Sequence, residues 1–191
     1  MALNGDNMRT NVIITEDFYL NVDELRSFAL SQDFSQRGNY PGLRTKSFLN
    51  DSIKEIIQNI LRPISGNVTQ WNDRDGLTGC FEMATATNRS WVHTDEYNTW
   101  AGVCYLTPNA PLSGGTGLFM YKKTGSIYED GTDYSSDTQD MTKWDLVDRI
   151  ANRYNRLVLY RSDMYHTSLD YFGKNLQDGR LFQLFFLNTE Y

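Results

Sequence analysis

The chain has 191 residues, 40% of them apolar and 14% aromatic, with a formal net charge of −6. This length and composition suit one globular domain with a proper core, and they exclude a disordered chain or a membrane-spanning segment of about 20 apolar residues. The charge is local, with seven acids between Glu129 and Asp148 against Lys143 alone, and the absence of a basic stripe disfavours nucleic acid as a partner.

In chain order, residues 12–20 read as an opening strand. A helix follows with periodicity at Val22, Leu25, Phe28 and Ala29. Asn21 stands at its N-cap, Glu24 completes a capping box, and Leu20 and Leu25 occupy the staple positions. Ile53, Ile56, Ile57, Ile60 and Leu61 predict a second helix that ends before Pro63. Cys80 and Cys104 lie in strand-like runs without a C-x-x-C spacing and read as buried free thiols.

Only two histidines occur, His93 and His166. His93 and Asp95 stand at i and i+2, so on an extended segment both side chains leave the same face and can grip one ion. With His166 they make a candidate two-histidine, one-carboxylate iron site, which leaves open positions for further ligands. A strand over 100–107, a turn cluster and a second strand over 114–121 follow. The run Gly114-Gly115-Thr116-Gly117 lacks the Gly-Lys-Ser/Thr ending of a phosphate loop and reads as a turn. Residues 142–154 show Trp144, Val147, Ile150 and Ala151 at helical spacing after a Thr142 cap, and strands over 156–161 and 180–187 flank His166 and begin at Arg180, respectively. The remainder has the texture of a jelly roll, short strands between Gly, Asn and Asp turns.

The order H-x-D, Tyr105-Leu-Thr, turn, Gly-Gly, distal His166, Arg180 resembles the Fe(II)/2-oxoglutarate dioxygenases, especially their prolyl-hydroxylase-like branch, over about residues 91–187. The segment Asn39-Tyr-Pro41-Gly-Leu-Arg44 is similar to uncharacterised bacterial and phage members of that superfamily. The resemblance implies a mainly β fold, a double-stranded β-helix buttressed by amino-terminal helices. It implies one domain over residues 1–191, with 122–154 inserted over its mouth as a lid. Fe(II) would be held by His93, Asp95 and His166, and the cosubstrate 2-oxoglutarate by Arg180 and Tyr105. With O₂, such an enzyme hydroxylates a small molecule or a peptide side chain and releases succinate and CO₂. Arginine suits a carboxylate because its planar fork can make two parallel charge-assisted bonds. One departure is the absence of Ser or Thr shortly after Arg180, which leaves the second polar contact to the cosubstrate unassigned.

Taken singly, each of these residues has a plainer reading. The histidines could be hydrogen-bonded core residues, Asp95 a turn cap, Tyr105 a half-buried strand tyrosine and Arg180 a surface arginine. Two rival classes therefore stand beside the dioxygenase: a non-catalytic jelly-roll binding or phage structural protein, and a cupin-type iron enzyme that does not use 2-oxoglutarate. The start of the chain lacks the apolar core of a secretory signal, so the expected location is the cytoplasm, that of the host if a phage encodes it.

Overall fold

The protein is described from a computed structural model over residues 9–72, 77–95 and 97–190. The elements run β1 (Val12–Thr15), α1 (Val22–Leu30), β2 (Leu43–Ser47), α2 (Asp51–Ser65), β3 (Asn67–Trp71), β4 (Cys80–Ala84), β5 (Trp100–Tyr105), β6 (Thr116–Tyr121), β7 (Trp144–Ile150), β8 (Leu157–Arg161), β9 (His166–Ser168) and β10 (Arg180–Glu190). Seven strands form one antiparallel sheet in the order β1-β8-β5-β10-β4-β2, with β3 also on β10; β7-β6-β9 form a second, smaller sheet. This is the jelly-roll arrangement expected from the sequence.

Period-2 alternation builds the layers. Along β10, Leu181, Phe185 and Leu187 pack with Ile57 and Leu61 of α2 in one cluster. Phe182, Leu184 and Phe186 join Val103, Val158 and Leu118 in another. The large sheet is thus apolar on both faces, with helices on one side and the small sheet on the other, as a central strand buried on both faces requires. Gly102 in β5 lets β8 approach, since a Cβ there would lie 2.5 Å from Leu159 Cδ2 and 2.9 Å from Val158 O. Both cysteines are buried free thiols, as expected, and burial pushes the Cys80 thiol up to about 12.

Three local expectations are corrected. Asn21 heads α1 without a side-chain cap bond, and Leu20 is fully exposed, so neither the capping box nor the staple forms. The entry to α1 is held from outside instead, by Asn155 accepting from Tyr19 N at 2.9 Å and donating to Tyr19 O at 2.8 Å. Helix α2 carries Pro63 inside its last turn and stops at Gly66, whose N–H donates to Arg62 O. A proline this near the C-terminus removes one ladder bond, and the apolar stripe from Ile53 to Leu61 outweighs that loss.

The predicted helix over 142–154 is strand β7, preceded by one 3-10 turn that Asp140, not Thr142, caps. The free edge of β6 decides this, because pairing from Thr116↔Ile150 to Tyr121↔Trp144 satisfies the backbone of both strands. The apolar spacing that suggests a helix leaves Leu146 and Val147 exposed on this edge strand. At α2 the Asn50 side chain accepts from Ile53 N at 3.0 Å. Asn50→Ala should therefore cost about 1 kcal/mol of unfolding free energy, read from the denaturant midpoint at unchanged slope.

Candidate metal centre and cavity

The metal-ligand candidates sit on two short extended segments that pair with each other. After β4 the chain turns at Thr85, whose N–H donates to Asn88 Oδ1 at 2.7 Å. It then runs extended to Asp95. Val92 is buried with Phe119, Tyr121, Trp144 and Tyr165, so alternation sends His93 and Asp95 to the opposite face. The same logic applies at His166, which follows the buried Tyr165. His93 and His166 face each other as an antiparallel bridge, with His93 N donating to His166 O at 3.0 Å and His166 N to His93 O at 2.9 Å. Asp95 is anchored by its own N–H on Ser162 O at 2.7 Å.

The ligand atoms of His93, Asp95 and His166 all lie within 4.8 Å of one another. Each imidazole has Nδ1 tied to a backbone carbonyl two residues earlier, His93 to Trp91 O at 2.9 Å and His166 to Met164 O at 2.8 Å. A carbonyl only accepts, so Nδ1 carries the hydrogen and Nε2 is the free lone pair in each neutral ring. His166 Nε2 stands 3.2 Å from Asp95 Oδ2. Two neutral imidazoles and one carboxylate, each imidazole fixed by an outer hydrogen bond, are a fitting donor set for a divalent first-row metal with open positions.

The electrostatics favour a neutral ring at His93 and an ionised carboxylate at Asp95. Burial, with His166 and Arg44 nearby, pushes His93 down to about 4 against the pull of Asp95 and Trp91 O. Burial raises the Asp95 carboxyl, but the neighbouring His166 and His93 rings and the Arg44 guanidinium outweigh it and hold it below the usual carboxylate range. The His93 shift has a stability consequence. Its folded pKa is depressed, so its contribution is complete above the unfolded value near 6.5 and is lost as pH falls toward about 4. The metal-free chain should therefore lose on the order of 3 kcal/mol across that window. His93→Gln should flatten the loss, as followed by thermal melts.

A cavity of about 840 Å³ opens over these three residues. That is within the range for a bound organic molecule. Arg44, Glu82, Trp91, Thr116, Tyr160 and Phe182 are among its other lining residues. Arg180 and Tyr105 do not line it. Both are fully buried: Arg180 donates from Nε to Gly114 O at 2.9 Å and from Nη2 to Gly115 O at 3.3 Å, and Tyr105 OH bonds Thr116 Oγ1 at 2.7 Å. Their neighbours reach the cavity instead, Thr116 through that bond and Phe182 under the guanidinium at 4.3 Å. Arg180 Nη1 is buried without a partner, an orphan that a carboxylate would satisfy. Arg180 is thus a core residue, not the surface arginine of the plainer reading.

Sequence reasoning missed the Arg44–Glu82 pair. The two are directly opposed on β2 and β4, and Arg44 Nε donates to Glu82 Oε2 at 2.6 Å. A glutamate inside the otherwise apolar run Cys-Phe-Glu-Met-Ala was the available signal. Burial raises the Glu82 carboxyl while Arg44 opposes the rise.

The acidic segment borders the same site. Glu129, Asp133, Tyr134 and Thr138 line a second hollow of about 580 Å³ together with His93 and Trp91. It is tied down by Val92 N on Thr138 O at 2.9 Å, by Trp144 Nε1 on Asp137 O at 2.9 Å and by Thr94 Oγ1 with Tyr134 OH at 3.1 Å. Among the described residues no helix is long and apolar enough to cross a membrane.

Residues 3–143 match the model of DUF6445, a family of unknown function. No curated protein matches. Among solved structures, HygX from Streptomyces hygroscopicus with nickel, 2-oxoglutarate and hygromycin B bound superposes with a TM-score of 0.62 at 12% identity, over 92% of this chain and 82% of that one. HygX with nickel and 2-oxoglutarate bound gives 0.59 at 12% identity over the same shares. A Pseudomonas putida prolyl-4-hydroxylase gives 0.48 at 14% identity, over 93% and 92%. The likeness to HygX shows that the two chains share a fold.

Proposed function

The chain belongs to the DUF6445 family, and we propose that it is an Fe(II)- and 2-oxoglutarate-dependent dioxygenase that hydroxylates a small molecule or a peptide side chain. The observation that carries this reading is the convergence of two imidazoles and Asp95 within 4.8 Å beneath a cavity. Close to that cavity, a buried arginine holds one unpaired nitrogen. His93, Asp95 and His166 would hold Fe(II), which when bound supplies the site for the cosubstrate and O₂. The carbonyls of Trp91 and Met164 keep both rings in the ligating tautomer. Arg180 would meet the far carboxylate through Nη1, with Tyr105 and Thr116 as the hydroxyl contacts beside it. Thr116 would then supply the polar contact that is missing after Arg180 in sequence.

The acidic segment would act as a wall over the substrate and exclude water. Replacing residues 129–133 by a Gly-Ser linker spares Tyr134, Asp137 and Thr138, which anchor the segment. The variant should keep its affinity for Mn(II) and 2-oxoglutarate yet form less hydroxylated product per succinate; equal coupling would reduce the segment to surface decoration.

The test of the main reading is succinate formation from 2-oxoglutarate by the purified chain with and without Fe(II) under air. Iron-dependent succinate supports it. One observation favours a second reading, an iron enzyme that does not use 2-oxoglutarate: Arg180 already serves the Gly114 and Gly115 carbonyls. Metal binding with no succinate would select that reading.

A further inference from the structure

Resting on the oxygenase reading, we propose that Arg44 and Glu82 form the receptor for the substrate to be oxidised, and that this substrate is a zwitterion of amino-acid type, its carboxylate on Arg44 and its ammonium on Glu82. The two side chains are 10% and 3% exposed, yet both line the cavity that holds His93, Asp95 and His166. Their contact is single, Nε to Oε2, and not a two-bond fork. Among the described residues the terminal nitrogens of Arg44 and the second oxygen of Glu82 have no partner. The Tyr40 ring, 3.6 Å from the guanidinium carbon, fixes its plane. A buried ion pair adds little stability over an apolar pair of similar volume, so this one has no obvious structural purpose.

Charge decides the ligand class. An anion on Arg44 alone would bring its charge next to Glu82, and a cation on Glu82 alone would meet Arg44. A zwitterion pairs with both and leaves the buried pair neutral overall. Trp91, Tyr97, Phe182 and Phe186 on the same cavity wall offer an apolar face to the rest of the molecule.

Isothermal titration of the Mn(II)- and 2-oxoglutarate-loaded chain with the twenty standard amino acids tests this. For the tightest of them, its primary amide lacks the carboxylate and its desamino acid lacks the ammonium. The amino acid should bind at least about tenfold more tightly than either. Arg44→Gln should erase the advantage over the amide, and Glu82→Gln the advantage over the desamino acid. Each single variant leaves one buried charge alone, so the neutral double variant is the folding control: its melting and Mn(II) affinity should be retained while both preferences vanish. The proposal is overturned if no amino acid saturates by about 10 mM, or if amide and desamino acid bind within about threefold of the parent. Titrating the metal-free chain keeps this separate from the oxygenase reading. Failure to bind Mn(II) or 2-oxoglutarate sinks that reading, while amino-acid binding through Arg44 and Glu82 is scored independently.

Discussion

His166→Gln should lower Mn(II) affinity by on the order of 100-fold or more and abolish iron-dependent succinate formation. Glutamine is close to histidine in volume, so the buried position beside the Tyr160 ring, 4.6 Å away, should still be filled. It cannot present the second nitrogen that Met164 O fixes, and the donor geometry is lost with it. Asp95→Ala should fail in the same way for a different reason, since removing the carboxylate takes away the only negative charge among the three ligands. Anaerobic titration with Mn(II) reads both. An unchanged affinity in His166→Gln would remove the metal centre altogether, because no other group of three possible ligands occurs among the described residues.

Arg180→Lys should weaken 2-oxoglutarate binding by about 1.5–3 kcal/mol, the worth of a hydrogen bond to a charged group, while leaving Mn(II) affinity alone. Lysine keeps the charge and loses the fork. Arg180→Ala is a poorer test, because the fully buried guanidinium also satisfies the carbonyls of Gly114 and Gly115. Gly114 O would keep Asn152 Nδ2 and Gly115 O would keep Leu169 N, so the lost bonds and the cavity left by the side chain should cost a further ~1–3 kcal/mol of stability, visible as a fall in melting temperature. Tyr105→Phe removes the hydroxyl that bonds Thr116 and interacts with Arg180, and should cost about 1 kcal/mol in cosubstrate binding. Unaltered 2-oxoglutarate affinity in Arg180→Lys, together with normal melting, would restrict Arg180 to its structural contacts and point to the rival iron chemistry.

Several parts of this molecule are legible in the amino-acid sequence alone. The triad is, because alternation around His93 and Asp95 is a local property: Val92 is apolar enough to choose the core and so settles where its neighbours point. The strands of the large sheet are, because they are continuous or alternating apolar runs. Helix α2 is, from its five-residue apolar stripe, although Pro63 made its predicted end too early. Where the local signal was weak the outcome was set elsewhere. The stripe at Trp144, Val147 and Ile150 is compatible with a helix, and only the open edge of β6 makes it a strand. The Asn21 cap was equally reasonable by composition, but Asn155, far along the chain, reaches the same turn and holds it through Tyr19.

The amino-acid sequence by itself determined the fold class, the three candidate metal ligands and the burial of both cysteines, since period, residue type and spacing carry those. Tertiary structure alone decided what surrounds the candidate metal site. It opposed Arg44 to Glu82 across β2 and β4, residues 38 apart in sequence. It also set Arg180 beneath the cavity wall and not on it. The physical reason is that a binding wall is assembled from one or two residues of each of several strands, and their register is fixed by cooperative pairing and by packing on both faces of a sheet. No single segment carries that information.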